Sequence, residues 1–177
     1  DRYWIEFVNS GQAGAAFSVH DGTRPESAPR RYAVSAGDRL RDAWQTAGEE
    51  RRYDLTVHGA HGYLRQFRGD LANSVVEAKF SYVPGHETAL LSLTNSGTQP
   101  INITVTERYT GIRQEIVIPS GEMQQHEYHL ESSFGWYDLS ITSGEEKYLR
   151  RFAGHVETGR PGTSDPATYS EAWGCRH

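Results

Sequence analysis

The sequence predicts an all-β fold, two antiparallel β-sandwich modules in tandem, and three observations carry that prediction. The chain repeats itself: Tyr137-Asp138-Leu139 restates Tyr53-Asp54-Leu55 84 positions on, and Tyr148-Leu149-Arg150-Arg151-Phe152-Ala153-Gly154 restates the stretch from Tyr63 to Gly69 85 positions on. Asn95-Ser96-Gly97 echoes Asn9-Ser10-Gly11 at 86, and Gly121 echoes Gly37 at 84. Offsets that drift this little are what insertions in turns produce, and a period this long marks small domains rather than solenoid units. Secondly, short alternating runs rich in β-branched and aromatic residues recur every 8–12 residues or so, separated by turn residues. Thirdly, no stretch shows a sustained 3.6-residue period. The copies are placed at 1–72 and 73–157, with a C-terminal tail over 158–177.

The elements follow in order. Tyr3 to Val8 is a strand that stops at Asn9-Ser10-Gly11, and Ala15 to His20 is the next, with Phe17 and Val19 on one face. Gly22, Pro25 and Pro29 make the following stretch a loop. Arg31 to Val34 closes at Ala36-Gly37. Asp38 to Gln45 is ambiguous, because Leu40 and Trp44 fit one helix face while Leu40, Asp42 and Trp44 fit one strand face. Its counterpart, Met123 to Leu130, alternates with little helical period, so both are read as strands. Tyr53, Leu55 and Val57 point inward against Asp54 and Thr56, and His58 to Gly62 turns the chain into Tyr63 to Gly69. That hairpin is the centre of each copy, since its local pairing sets the register of the rest. Val75 to Val83 and Thr88 to Leu93 open the second copy; Ile101 to Thr106, Ile112 to Ile118, Phe134 to Ile141 and Lys147 to His155 complete it.

Composition bounds the chemistry. The chain carries 18 Lys and Arg against 23 Asp and Glu, a net charge of −5, without the basic bias of a nucleic-acid binder. Arginines cluster locally at Arg30-Arg31, Arg51-Arg52, Arg65 with Arg68, and Arg150-Arg151. Cys175 is the single cysteine, so no intrachain disulfide or cysteine metal cage can form. No run of about 18 apolar residues predicts a transmembrane helix. The chain reads as part of something longer, with any signal peptide or catalytic domain upstream.

Catalytic motifs are lacking: there is no nucleophile elbow and no P-loop, and Gly11 and Gly14 join two strands rather than opening a helix. His58 and His61 are three apart across a turn, and His126 and His129 three apart on a strand, which sends their side chains to opposite faces. No catalytic residue, metal ligand or cofactor is therefore expected. Asp54 and Asp138 recur in both copies, which suits a shared structural duty. Arg65 lies between Tyr63 and Phe67, and Arg150 between Tyr148 and Phe152, so each can stack on its aromatic neighbours. Trp4, Trp44, Trp136 and Trp173 read first as core or hairpin anchors. An exposed Trp beside an arginine would suit lipid headgroups, and Trp4, Trp136, Arg65 and Arg150 are the surface candidates for ligand binding.

Asn9-Ser10-Gly11 with Gly14-Ala15-Ala16-Phe17, Pro29-Arg30-Arg31-Tyr32, Ala36-Gly37, Trp44, Tyr53-Asp54-Leu55-x-Val57-His58-Gly59 and Phe67-Arg68-Gly69 resemble the C-terminal module of bacterial phosphocholine-specific phospholipases C. The likeness spans nearly all of 3–160 and weakens in the second copy, where Val57-His58-Gly59 becomes Ile141-Thr142-Ser143. The resemblance implies a tandem C-terminal accessory pair in a secreted or periplasmic enzyme that releases phosphocholine from phosphatidylcholine or sphingomyelin. Its partners would be the N-terminal catalytic phosphoesterase domain of the same chain and a phospholipid surface. None of the catalytic domain's motifs match this sequence. A carbohydrate-binding or adhesion-like module is the alternative, marked by a row of two or three exposed aromatics on one sheet face. A free-standing enzyme would need a pocket of convergent polar groups.

Overall fold

A computed structural model describes residues 1–82, 86–144, 147–156 and 162–166. Among these described residues thirteen strands and a single 3-10 turn make up the regular structure, and none is α-helical. The fold class read from the sequence is the one observed. The chain divides into two compact units, Asp1–Ser74 with Thr142–Arg151, and Val75–Ile141 with Phe152–His177.

In the first unit β1 (Arg2–Val8) pairs antiparallel with β4 (Arg39–Gln45), from Arg2 opposite Gln45 to Val8 opposite Arg39. The facing sheet runs in the order β3 (Arg30–Val34), β2 (Ala15–Asp21), β5 (Arg52–His58), β6 (Leu64–Asp70). Strict alternation sends Ile5 and Phe7 of β1, Trp44 of β4, Val19, Val34, Leu55 and Val57 into one core between the sheets. The ambiguous Asp38–Gln45 stretch is thus a strand: as a helix it could not present Leu40, Asp42 and Trp44 to one sheet. The central hairpin pairs Tyr53 with Gly69 and His58 with Leu64, and its turn holds His61 and Gly62 at φ 54° and 71°.

The second unit has one strand more. β7 (Val76–Tyr82) pairs with β8 (Thr88–Asn95), which pairs with β11 (Met123–His129). The other sheet contains β10 (Arg113–Ile118), β9 (Ile101–Glu107) and β12 (Trp136–Ser143), followed by β13 (Tyr148–His155), of which Thr142–Ser143 and Tyr148–Arg151 belong to the first unit. By the repeat, β8 corresponds to β1 and β11 to β4, so β7 has no counterpart in the first copy. Ala89, Leu91, Leu93, Ile103, Val105, Ile118, Leu139 and Ile141 are almost wholly buried. The 3-10 turn at Glu131–Ser133 ends on Phe134 in the left-handed region at φ 55°. The strand that the sequence starts at Phe134 therefore starts at Trp136.

The repeated residues turn out to be structural pins. Asn9 donates through Nδ2 to the carbonyls of Ala13 (2.8 Å) and Val34 (3.0 Å), while its Oδ1 accepts from the Gly11 amide (3.0 Å). Asn95 repeats each bond with Gln99 (2.8 Å), Ile118 (3.0 Å) and Gly97 (2.9 Å). One side chain in each unit so satisfies buried backbone groups where a strand leaves its sheet. Tyr53 lies across Gly69 and Tyr137 across Gly154; a Cβ on either glycine would sit 2.6 or 2.7 Å from the phenol oxygen. Asp54 takes the Arg68 guanidinium at 2.9 Å, and its carbonyl accepts the Gly22 amide as that of Asp138 accepts the Arg108 amide.

Candidate functional site

Because Ile5 and Phe7 face the core, Arg2, Trp4, Glu6 and Val8 must face solvent, and on β4 the same parity turns Arg39 and Arg41 outward. The outer face of the β1–β4 ladder therefore collects an aromatic and three guanidiniums around one carboxylate. Trp4 is 49% exposed, far more than the buried Trp44. Arg41, diagonal to it across the ladder, holds its guanidinium carbon 4.5 Å from the centre of the Trp4 ring. This is a cation–π contact in which both partners stay wet. Three arginines against Glu6 leave this face locally positive on a chain whose net charge is −5. Val8, 53% exposed, extends the apolar surface beside Arg39.

The other candidates lie elsewhere. Trp136 is half-buried: its indole N–H donates to the Thr163 carbonyl at 2.7 Å and its ring packs on His155 with centroids 4.9 Å apart. Its polar edge is thereby used by the 162–166 segment, whose Asp165 also accepts from the Tyr109 hydroxyl at 2.9 Å. Arg65 stacks on Tyr63 at 4.3 Å and is half-buried. Arg150 corrects a sequence expectation, because it is no surface group but 7% exposed. It stacks on Tyr148 (4.5 Å), Tyr53 (5.3 Å) and Phe67 (5.6 Å), not on Phe152, and donates to the Tyr53 hydroxyl (2.7 Å) and the Arg68 carbonyl (2.9 Å). Burial works against its charge, but Tyr148, Tyr3 and Tyr53 outweigh it and hold the guanidinium pKa above its ordinary value. Trp173 and Cys175 lie outside the described residues.

Among the described residues no acid–base constellation forms. A cleft of about 430 Å³ in the first unit is lined by Gly22, Thr23, Tyr53, Asp54 and Arg68 among others, and its Asp54 carboxylate is already bonded to Arg68 and Gln66. His20 and His58 meet edge to face at 5.4 Å. Burial first, and then repulsion from His20, holds the His58 pKa below its ordinary value. Among the described residues no group of three or more His, Cys, Asp or Glu could hold a metal ion, and no described helix is long and apolar enough to cross a membrane.

Sequence reasoning singled out Trp4 but not Arg41, Arg39 or Arg2. The signal was present in the alternation of β4: once Leu40, Asp42 and Trp44 face inward, Arg39 and Arg41 must face outward. Attention to adjacent arginine pairs hid it, since neighbours in a strand point to opposite faces.

Comparison with known proteins agrees with the repeat. The family described as bacterial phospholipase C, C-terminal domain, matches residues 1–70 and again 76–155. A non-hemolytic phospholipase C of Burkholderia pseudomallei is 41% identical over 172 residues, covering 93% of this chain and 24% of that protein. A non-hemolytic phospholipase C of Pseudomonas aeruginosa is 38% identical, covering 94% and 25%, and a hemolytic phospholipase C of the same organism is 34% identical, covering 88% and 24%. The chain spans about a quarter of the length of these relatives. It belongs to the phospholipase C C-terminal domain family.

Proposed function

We propose that this member of the phospholipase C C-terminal domain family is a non-catalytic accessory region that positions a secreted, phosphocholine-releasing phospholipase C on its lipid aggregate. Its partners are the catalytic phosphoesterase domain of the same parent chain and the phospholipid surface. The observation that carries this reading is the outer face of β1–β4, with Trp4 half-exposed beneath Arg41 on a face that also carries Arg2 and Arg39. A Trp ring partitions into the headgroup region, and guanidiniums bond phosphate oxygens in forked pairs. Weak attachment of this kind raises local substrate concentration without a spanning segment. The carbohydrate-binding alternative asks for a row of aromatics on one sheet face. The exposed large aromatics among the described residues are Trp4 on β1, Tyr82 on β7 and Phe134 beside the 3-10 turn, three separate elements.

The test is co-sedimentation of the 177-residue chain with phosphatidylcholine and sphingomyelin vesicles, with turnover of a soluble phosphocholine ester measured on the same sample. Vesicle binding without turnover is expected. Trp4→Ala and Arg41→Ala should each weaken binding by about tenfold, the equivalent of roughly 1.4 kcal/mol, while Trp136→Ala leaves it unchanged. Turnover by the chain alone would overturn the non-catalytic reading. Absence of vesicle binding would overturn the lipid reading and leave a brace for the catalytic domain.

A further inference from the structure

The extra strand of the second unit exposes a vacancy in the first. In β1 the alternate residues Asp1, Tyr3, Ile5, Phe7 and Asn9 bond to β4, as the Asn9 amide to Asp38 (3.0 Å) and the Thr46 amide to Asp1 (3.2 Å) show. The backbone groups of Arg2, Trp4, Glu6 and Val8 therefore point away from β4. At the matching edge of β8 these positions are covered by β7, paired from Val76 opposite Asn95 to Tyr82 opposite Ala89. The far edge of β4 is covered differently, by arginine side chains: Arg30 caps the Ala43 carbonyl at 3.0 Å and Arg24 the Gln45 carbonyl at 2.9 Å. Among the described residues nothing pairs with the free edge of β1. An open seven-residue edge is a template for another strand.

We propose that this edge pairs with β1 of a second copy of the chain, antiparallel about a twofold axis at Trp4. The argument is self-complementarity. With Trp4 opposite Trp4 of the other copy, Arg2 falls opposite Glu6 and Glu6 opposite Arg2, giving two cross-strand ion pairs around an aromatic pair, all on the solvent-facing side. The register also brings residues with outward-pointing backbone groups opposite one another, as antiparallel bonding requires. Sliding by two residues sets Arg2 against Val8 and Trp4 against Glu6, which loses both ion pairs. On the inner side Tyr3 meets Ile5 of the other copy. The charges that would repel an arbitrary strand thus select this one.

Analytical ultracentrifugation over a concentration series tests the pairing on the 177-residue chain. A reversible dimer is expected. Glu6→Arg and Arg2→Glu each place like charges opposite one another and should weaken association by about tenfold or more. The double variant Arg2→Glu/Glu6→Arg restores both pairs with the signs exchanged and should recover the wild-type dissociation constant. All four side chains changed in a dimer are exposed, so the fold should survive, and Trp4→Pro, which removes an edge N–H, gives a second disruption that involves no charge. A chain that stays monomeric throughout the series, or single reversals without effect, would overturn the proposal. So would a monomer that binds a Val75–Tyr82 peptide at this edge, since that outcome gives the site to another extended segment. Glu6→Arg keeps Trp4 and every cation of the lipid-facing side, so loss of the dimer in that variant with vesicle binding retained distinguishes failure here from failure of lipid binding.

Discussion

The two copies solve one packing problem from different strands. In the first unit Tyr3 of β1 stacks on Tyr53 with centroids 4.0 Å apart and lies 6.0 Å from Phe67. In the second, β8 carries Ala89 at the place of Tyr3, and Phe80 of the additional β7 fills the space, 4.5 Å from Tyr137 and 5.5 Å from Phe152. Tyr53 matches Tyr137 and Phe67 matches Phe152, so the receiving slot is common and only its filler has changed strand. What the copies share is therefore the framework: the asparagine pin, the tyrosine over glycine and the aromatic slot. What they do not share is the outer face. The place of Trp4 is taken by Leu90, that of Arg41 by Gln125 and that of Arg39 by Met123. Function is best sought in the differences, because the identities are already used by the fold.

Moving the filler tests this most strongly. Phe80→Ala should destabilise the second unit by about 2–3 kcal/mol, somewhat below the loss for a fully buried Phe because Phe80 is half-buried. Adding Ala89→Tyr in that background should recover much of it by supplying the ring from β8, as β1 does in the first unit. Urea denaturation of the single and double variants checks the exchange; a double variant no better than the single would show that the slots are not equivalent. The tyrosine-over-glycine pin comes next. Gly69→Ala and Gly154→Ala each drive a Cβ into a rigid, buried phenol, and about 1–2 kcal/mol is expected from each, read as a lower urea midpoint.

The smallest effect belongs to the first copy's histidines, since the second copy has Thr142 where the first has His58. With a pKa lowered by burial and His20, His58 binds its proton less readily folded than unfolded. Its contribution is fully present above the unfolded value of about 6.5 and is lost as pH falls through the lowered folded value. His58→Thr should flatten the stability profile below the ordinary histidine value of about 6.5 by a small amount, because the ring is exposed. Thermal melts across that range measure it.

Much of this fold was legible in the chain. Repeat offsets, turn residues and period-two alternation located the strands, and the paired ambiguity at Asp38–Gln45 was resolved by its counterpart, because two copies of one framework must use the same periodicity. Local pattern also carries the facing of Trp4 and Arg41, since a strand has only two sides, yet Trp4 read first as a core or hairpin anchor and Arg41 drew no notice. It did not settle which side was covered. Arg150 and Arg65 occupy matching places in the same motif, yet one is buried among three rings and the other half-buried, and Trp136 is taken by the 162–166 segment while Trp4 is left to solvent. Those outcomes depend on which distant elements pack above each residue, and a periodic pattern contains no term for that. The sequence by itself determined the repeat and the run of strands, which follow from backbone geometry. Only the tertiary structure decided that β7 closes one edge while no described strand pairs with its counterpart, because strand pairing is a contact between segments far apart in the chain.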